Sequence, residues 1–493
     1  MSRRKFESGI VHTFGKEDYG KLGHGRSATS LASAAAAGSG APAGAQRVNR
    51  VEPTAVEQLR FVATVAVASF STHTLAISSE GELYSWGNGD RFRLGHGSAQ
   101  QEELPRLVTL LPNKTHICDI ACGLGHTVAL SRAGKVFSWG NGSNGRLGNG
   151  SVEDQAIPVL VDFGVMNQGT QAASSGAGEE SKHHTSSPVK QPGRTIVKIF
   201  CGASHSLAID SQGAAYAWGK NNQGQCGLGN RTDACEPRVI SAFEAYTVID
   251  MAGGWEHTLA CTLAGDVFAF GAGYRDKRSA GFVPPVLGVT PTPDLLCLLP
   301  RQIERAFYNI RVVSVHCGWD HSMAITEGGK LYTWGAGFHG KLGHGNCDAV
   351  VEPQVVKALE GYRVVHAEGG CEHSMAICEP GLLFTWGQGD GGRLGHGDEE
   401  DQLLPKKVQE LENAGQHAIH CAAGDKYSIV LLKEDANSTD KVDRPSSIAT
   451  SSQHPRATSN LRSPAALFES RFLSSGQGTV DAAFDFAEYI ARS

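Results

Sequence analysis

Twenty histidines and twelve cysteines are the residues of this 493-residue chain that could do chemistry. Both types supply metal ligands and reactive groups. Three segments also fit the dinucleotide pattern Gly-x-Gly-x-x-Gly, at 140–145, 335–340 and 387–392. Each candidate fails on position. The glycine pattern has a mechanism only between a strand and a helix whose N-terminus receives phosphate, and these three recur at one place in a repeat and precede strands. Histidines recur in the same way. His73, His126, His205, His257, His321 and His373 each open a short apolar strand, and His24, His96, His344 and His396 sit in a glycine loop. Such regularity predicts a structural role, with each ring hydrogen-bonded to neighbouring backbone in a buried turn. No Cys/His spacing makes a tetrahedral set, so no metal and no other cofactor is expected. Cys122, Cys201 and Cys317 lie four residues before a repeat histidine and read as small core residues. With no nucleophile elbow either, the chain is expected to have no catalytic chemistry of its own.

The elements that position these residues form a repeat. A histidine followed by Ser or Thr starts one strand, and an aromatic-Gly pair about thirteen residues later ends the next: Trp86, Trp139, Trp218, Phe270, Trp334 and Trp386. The segment from His73 to Gly87 is two alternating strands around a glycine turn, which is a hairpin signal. A loop written Leu-Gly-His-Gly follows at 94–97, 342–345 and 394–397, then a stretch led by Pro105, Pro158, Pro237, Pro353 or Pro405. A sheet of about four short strands cannot bury both faces alone and must stack on its neighbours. Successive histidines are 53, 79, 52, 64 and 52 residues apart. Six units are complete, and two halves remain. "AAGDKYSIVLL" (422–432) has the first half of a unit with Tyr427 in the histidine place, and "VHTFGKEDYGKLGHG" (11–25) has the second half with Phe14-Gly15 in the Trp-Gly place. The prediction is an all-β, closed seven-bladed β-propeller over 1–433, its last blade completed by N- and C-terminal strands.

The pattern Gly-x-x-His-Ser/Thr, Trp-Gly, Leu-Gly-His-Gly resembles the repeat of the regulator of chromosome condensation superfamily, over roughly 9–26 and 48–433. The departures are Phe14, Phe270, Asn149 in the loop-histidine place and an irregular unit after Phe270. Function in a propeller sits on loops carried by the rigid ring. The two positions before each repeat histidine give one equivalent end, and three successive units there offer acids: Glu256, Asp320 and Glu372. Asp425 continues the arc one position earlier, and Trp255 and Trp319 stand beside the acids. Aromatic residues flanked by charge have the chemistry of a protein-binding hot spot. The expectation is therefore a protein-interaction propeller, a scaffold or regulatory subunit. The resemblance implies partners of two kinds: a ubiquitin-ligase component, or a small GTPase such as Ran whose nucleotide release acids at these turns promote. Against exchange activity, the family member's basic N-terminal tail and inserted wedge are not recognisable. "GGWEHT" (253–258) and the segment ending Gly318-Trp319-Asp320-His321 also resemble the Gly-Trp-Arg-His-Thr repeats of plant ultraviolet-B photoreceptors, a remote alternative. Here the arginines are replaced by Glu256 and Asp320, and the third such tryptophan by Cys371.

Composition bounds the rest. Gly 61 without a collagen period fits many tight turns. A net charge of −6 gives no basic footprint for nucleic acid or chromatin. No apolar run reaches the roughly 18–20 residues a membrane span needs, and no secretory core opens the chain. Scattered cysteines point to a reducing compartment, cytoplasm or nucleus. Residues 27–47 read as a low-complexity loop, 164–194 as a disordered insertion and 434–493 as a disordered tail. Within the tail, 479–493 carries one apolar helical stripe, Val480, Ala483, Phe484, Ala487 and Ile490.

Overall fold

A computed structural model describes residues 7–25, 49–112, 115–164, 195–272 and 297–433. The low-complexity loop 27–47, the insertion from 165, the segment 273–296 and the tail with its 479–493 stripe lie outside the described residues. The described residues are all-β, with one α-helical turn, Gln409–Asn413, and short 3-10 turns.

One repeat shows why the sequence folds this way. His73–Ser78 pairs antiparallel with Leu83–Gly87, Thr74 opposite Trp86. The turn between them closes through Ser78 N–H to Glu82 O at 2.9 Å. His73–Ser78 is buried along its whole length, because it is the second of four strands and other sheets cover both its faces. Thr64–Ser69 flanks it on one side, and Glu102–Leu107 lies beyond Leu83–Gly87 on the other. That outer strand carries Pro105, and every other outer strand also holds a proline, which only an edge tolerates.

Five sheets have this four-stranded order. The sixth has eight strands. In it Gly9–Gly15 pairs along its full length with Tyr427–Lys433, from Gly9 opposite Lys433 to Gly15 opposite Tyr427. The two half-units of the sequence thus meet in one sheet, as the half-repeats predict. A single pair, Gly9 with Thr64, joins these strands to the next group of four.

Repeats are tied together by the residues that define them. The Trp86, Trp139, Trp218, Trp334 and Trp386 side chains are wholly buried. Trp139 Nε1 donates to Arg93 O at 3.0 Å and Trp386 Nε1 to Lys341 O at 2.8 Å, each into the loop of the preceding repeat. The loop glycine is required there. Gly95 has φ +76°, and a Cβ on it would stand 2.7 Å from Trp139 Nε1.

The strand histidines differ from expectation in one respect: their partners are hydroxyls of the next repeat, not backbone. His73, His126, His205, His257, His321 and His373 face Thr127, Ser206, Thr258, Ser322, Ser374 and Ser428 at 2.8–3.0 Å. Tyr427 closes the series with its hydroxyl 2.8 Å from Thr74 Oγ1. The Thr127 and Ser374 hydroxyls donate their one proton to Arg93 O and Lys341 O. The imidazole Nε2 must therefore be the donor to them.

Candidate functional site

The turns before the repeat histidines lie at one end of the sheets and bond to one another. Leu124 N–H reaches Ala203 O at 3.0 Å, Trp255 N–H reaches Trp319 O at 2.8 Å, and Asp425 N–H reaches Ser71 O at 3.1 Å. Glycine starts these turns except before His73, where Phe70 stands, and a Cβ on Gly318 would lie 2.0 Å from His321 Cε1. Trp255 and Trp319 are half-buried here, their rings 4.5 Å apart and tilted by 43°. Trp319 also stacks on Phe70 at 6.2 Å and donates from Nε1 to Phe70 O at 3.3 Å. The two tryptophans, from successive repeats, thus reach a third that is distant in sequence, and pack on the apolar cluster of Phe70, Ile120 and Ala203.

The structure brings the four acids to this end but gives them different surroundings. Asp320 and Glu372 are buried, and the wholly buried Lys341 ammonium lies between them, 2.5 Å from Asp320 Oδ1 and 2.6 Å from Glu372 Oε2. Lys341 Nζ also reaches Cys371 O at 3.4 Å. Glu256 is partly covered and pairs with Lys220 at 3.3 Å. Asp425 is half-buried, and its backbone carbonyl accepts from Arg393 Nη1 at 3.4 Å. The surface acids at this end are therefore Glu256 and Asp425, whereas Asp320 and Glu372 act inside a buried triad.

That triad has a measurable consequence. Lys341→Met leaves two buried carboxylates without their cation, a loss of about 3–5 kcal/mol. Adding Asp320→Asn and Glu372→Gln removes both charges and should restore most of it. Urea unfolding midpoints of the single and triple variants check this; equal losses in both would mean that unpaired carboxylate charge is not the source of the loss.

A second cluster escaped the sequence reading. The first strands of the repeats stand beside one another, and the succession returns from Ala418–Ala423 to Thr64–Ser69. Their third and fifth residues, on one face by the period of two, are small in several repeats, as at Ala66, Ala68, Ala121, Ala252 and Ala422. The remaining third and fifth positions hold Asp119, Lys198, Asp250, His316, His366, Glu368 and His420, besides Phe200 and Ser314. Lys198 Nζ lies 3.4 Å from Asp250 Oδ1, and Asp250 Oδ2 accepts from Val315 N–H at 3.1 Å. Burial pushes Glu368 up to about 8, with the charge of Asp250 adding to it, and lowers His316 and His366. These side chains keep a strip of surface, 12% for His316, 23% for His366 and 31% for Glu368, while protein surrounds them on the other sides. The legible signal was the exchange of alanine for a titratable residue at a fixed strand position.

The RCC1-like domain family matches residues 6–283, and the regulator of chromosome condensation (RCC1) repeat matches 328–377 and 380–431, with a second RCC1 repeat family over 312–341. The ultraviolet-B receptor UVR8 of Arabidopsis thaliana is 31% identical over 416 residues, 83% of this chain and 80% of the receptor. The human E3 ubiquitin-protein ligase HERC2 is 32% identical over 78% of this chain, a stretch that is 7% of the ligase. Among solved structures, Prp20p of Saccharomyces cerevisiae, described with its binding to Gsp1p and histones, superposes with a TM-score of 0.68 at 20% identity. It matches 87% of this chain and 93% of Prp20p. Human WBSCR16 gives 0.67 at 21% identity, over 87% of this chain and all of that one.

Proposed function

The chain belongs to the regulator of chromosome condensation repeat family, and from that premise we propose a closed seven-bladed propeller that works by binding another protein through its pre-histidine turns. The return of the first-strand succession to Thr64–Ser69 and the Tyr427–Thr74 bond support closure. The observation that carries the binding reading is the half-buried Trp255–Trp319 pair beside the surface acids Glu256 and Asp425. Large aromatic rings held in place, with charge at their rim, lose little freedom when a partner covers them. The repeat histidines are committed to bonds between repeats and Lys341 to its buried triad, which leaves recognition as the work of this end.

The partner reading divides by what binding does. A scaffold only holds its partner. An exchange factor also releases nucleotide from a Ran-like small GTPase. The test measures fluorescent GDP release from Ran, together with capture of proteins from cell extract by the full chain. Trp255→Ala combined with Trp319→Ala should weaken capture at least tenfold. Tyr308→Ala, highly exposed and near the start of the strand Val312–Cys317, at the opposite end, should leave it unchanged. Release accelerated a hundredfold or more selects the exchange factor. Capture that survives the double substitution removes this face from the proposal.

A further inference from the structure

We propose that His316, His366 and Glu368 form a binding site for a divalent transition-metal ion of the zinc class, set in the lining of first strands. The site stands on the strands that lead into the pre-histidine turns, with His316 three residues before Trp319, and does not depend on the partner reading. One donor atom from each residue falls within 4.8 Å of the others. Glu368 Oε1 stands 3.9 Å from His316 Nδ1 and 3.5 Å from His366 Nε2. Both separations are longer than an ordinary hydrogen bond. The shorter is near the roughly 3.3 Å edge of a tetrahedron with ~2.0–2.1 Å metal–ligand bonds, and a side-chain shift would bring the longer one to it. The carboxylate is thus held among two imidazoles with a gap of the right span for a cation.

The surroundings fit the same ion. Two imidazole nitrogens and one carboxylate oxygen suit zinc, cobalt or nickel better than calcium or magnesium, which prefer oxygen throughout. His316 Nε2, on the side of the ring away from Glu368, lies 3.2 Å from Ser314 Oγ. A donated bond there fixes the tautomer that leaves Nδ1 free to ligate, as supporting partners of metal-bound histidine do. His366 Nε2 now lies 3.3 Å from Cys421 O and would exchange that contact for the metal. The next strand brings His420, its ring 4.8 Å from that of His366 and its buried Nδ1 without a hydrogen-bond partner among the described residues. The exposed strip of each side chain gives an ion its way in.

The experiment titrates the full chain with Co²⁺ and reads its visible d–d absorption. One equivalent is expected, with bands of nitrogen and oxygen ligation and none of the intense charge transfer that cysteine thiolate gives. Zn²⁺ should displace it. His316→Ala and Glu368→Gln should each remove the stoichiometric band, and Ser314→Ala should weaken binding about 10-fold. His339→Ala, a substitution of a surface histidine paired with Asp401, should leave it intact. Glu368→Gln keeps the side-chain shape, so it stays informative should the histidine variant fold poorly. No saturable Co²⁺ band, a thiolate charge-transfer band, or a band unchanged in Glu368→Gln would each overturn the site.

Discussion

Removing residues 1–15 should abolish cooperative folding of the unit that spans Met1–Glu434. The strand Gly9–Gly15 stands between Tyr427–Lys433 and Arg50–Ala55. Its loss leaves Arg50–Ala55 without its partner and turns Tyr427–Lys433 into an open edge, which invites association between chains. The apolar loss falls on two neighbours at once. Val11 packs with Leu59, Trp86 and Ile429, whereas Phe14 packs with Met375, Ile377, Leu383 and Val430. Emptying a buried phenylalanine site alone costs about 3–5 kcal/mol, and the paired strand adds more. Against a total stability of about 5–15 kcal/mol, little would remain. Near-UV circular dichroism and urea unfolding of the truncated chain measure this, and a peptide covering 7–25 added in trans should recover part of the signal. A truncated chain that still unfolds cooperatively at the parent midpoint would show that the sheets hold without this closure.

The same strand shows how far the sequence could be read. Its place was legible because half a repeat at one terminus needed the other half, and the aromatic-Gly pair Phe14-Gly15 marked the phase. Glu256, Asp320 and Glu372 were legible as equivalent positions, with Asp425 one position earlier, since the period of the repeat places them at one end. Their environment was not. Lys341 belongs to the glycine loop, about twenty residues after Asp320 and thirty before Glu372, and only the packing of one repeat's loop over the next turn brings its ammonium between them. The lining cluster was hidden for a related reason. His316, His366 and His420 are each unremarkable within their own strands, and become a group only when neighbouring strands stand side by side. Repeat phase thus predicts which residues share a level, while contacts between repeats decide what each one meets.

The histidines between repeats make acid the strongest environmental test of the fold. Burial holds His73 and His205 down to about 3 and His257 to about 4, against 6.5 for a free imidazole. His126, His321 and His373 are pushed the same way. Below pH 6.5 the unfolded chain takes up protons that the folded one refuses, so stability falls as pH falls towards the folded values. At pH 5 each such histidine costs about 2 kcal/mol. Two acids act in the opposite sense: Glu368, raised to about 8, and Asp119, raised to about 6, hold protons in the folded state and return about 3–4 kcal/mol between pH 7 and pH 5. Six histidines outweigh two acids. The urea midpoint should therefore drop steeply from pH 7 to pH 5 and reach acid unfolding with uptake of several protons. His257→Gln should lower stability at pH 7, where its bond to Ser322 is lost, yet flatten the slope by about one proton. A profile level from pH 7 to pH 5 would mean that the rings accept protons inside the fold, and that Nε2–H to hydroxyl is not what joins one repeat to the next.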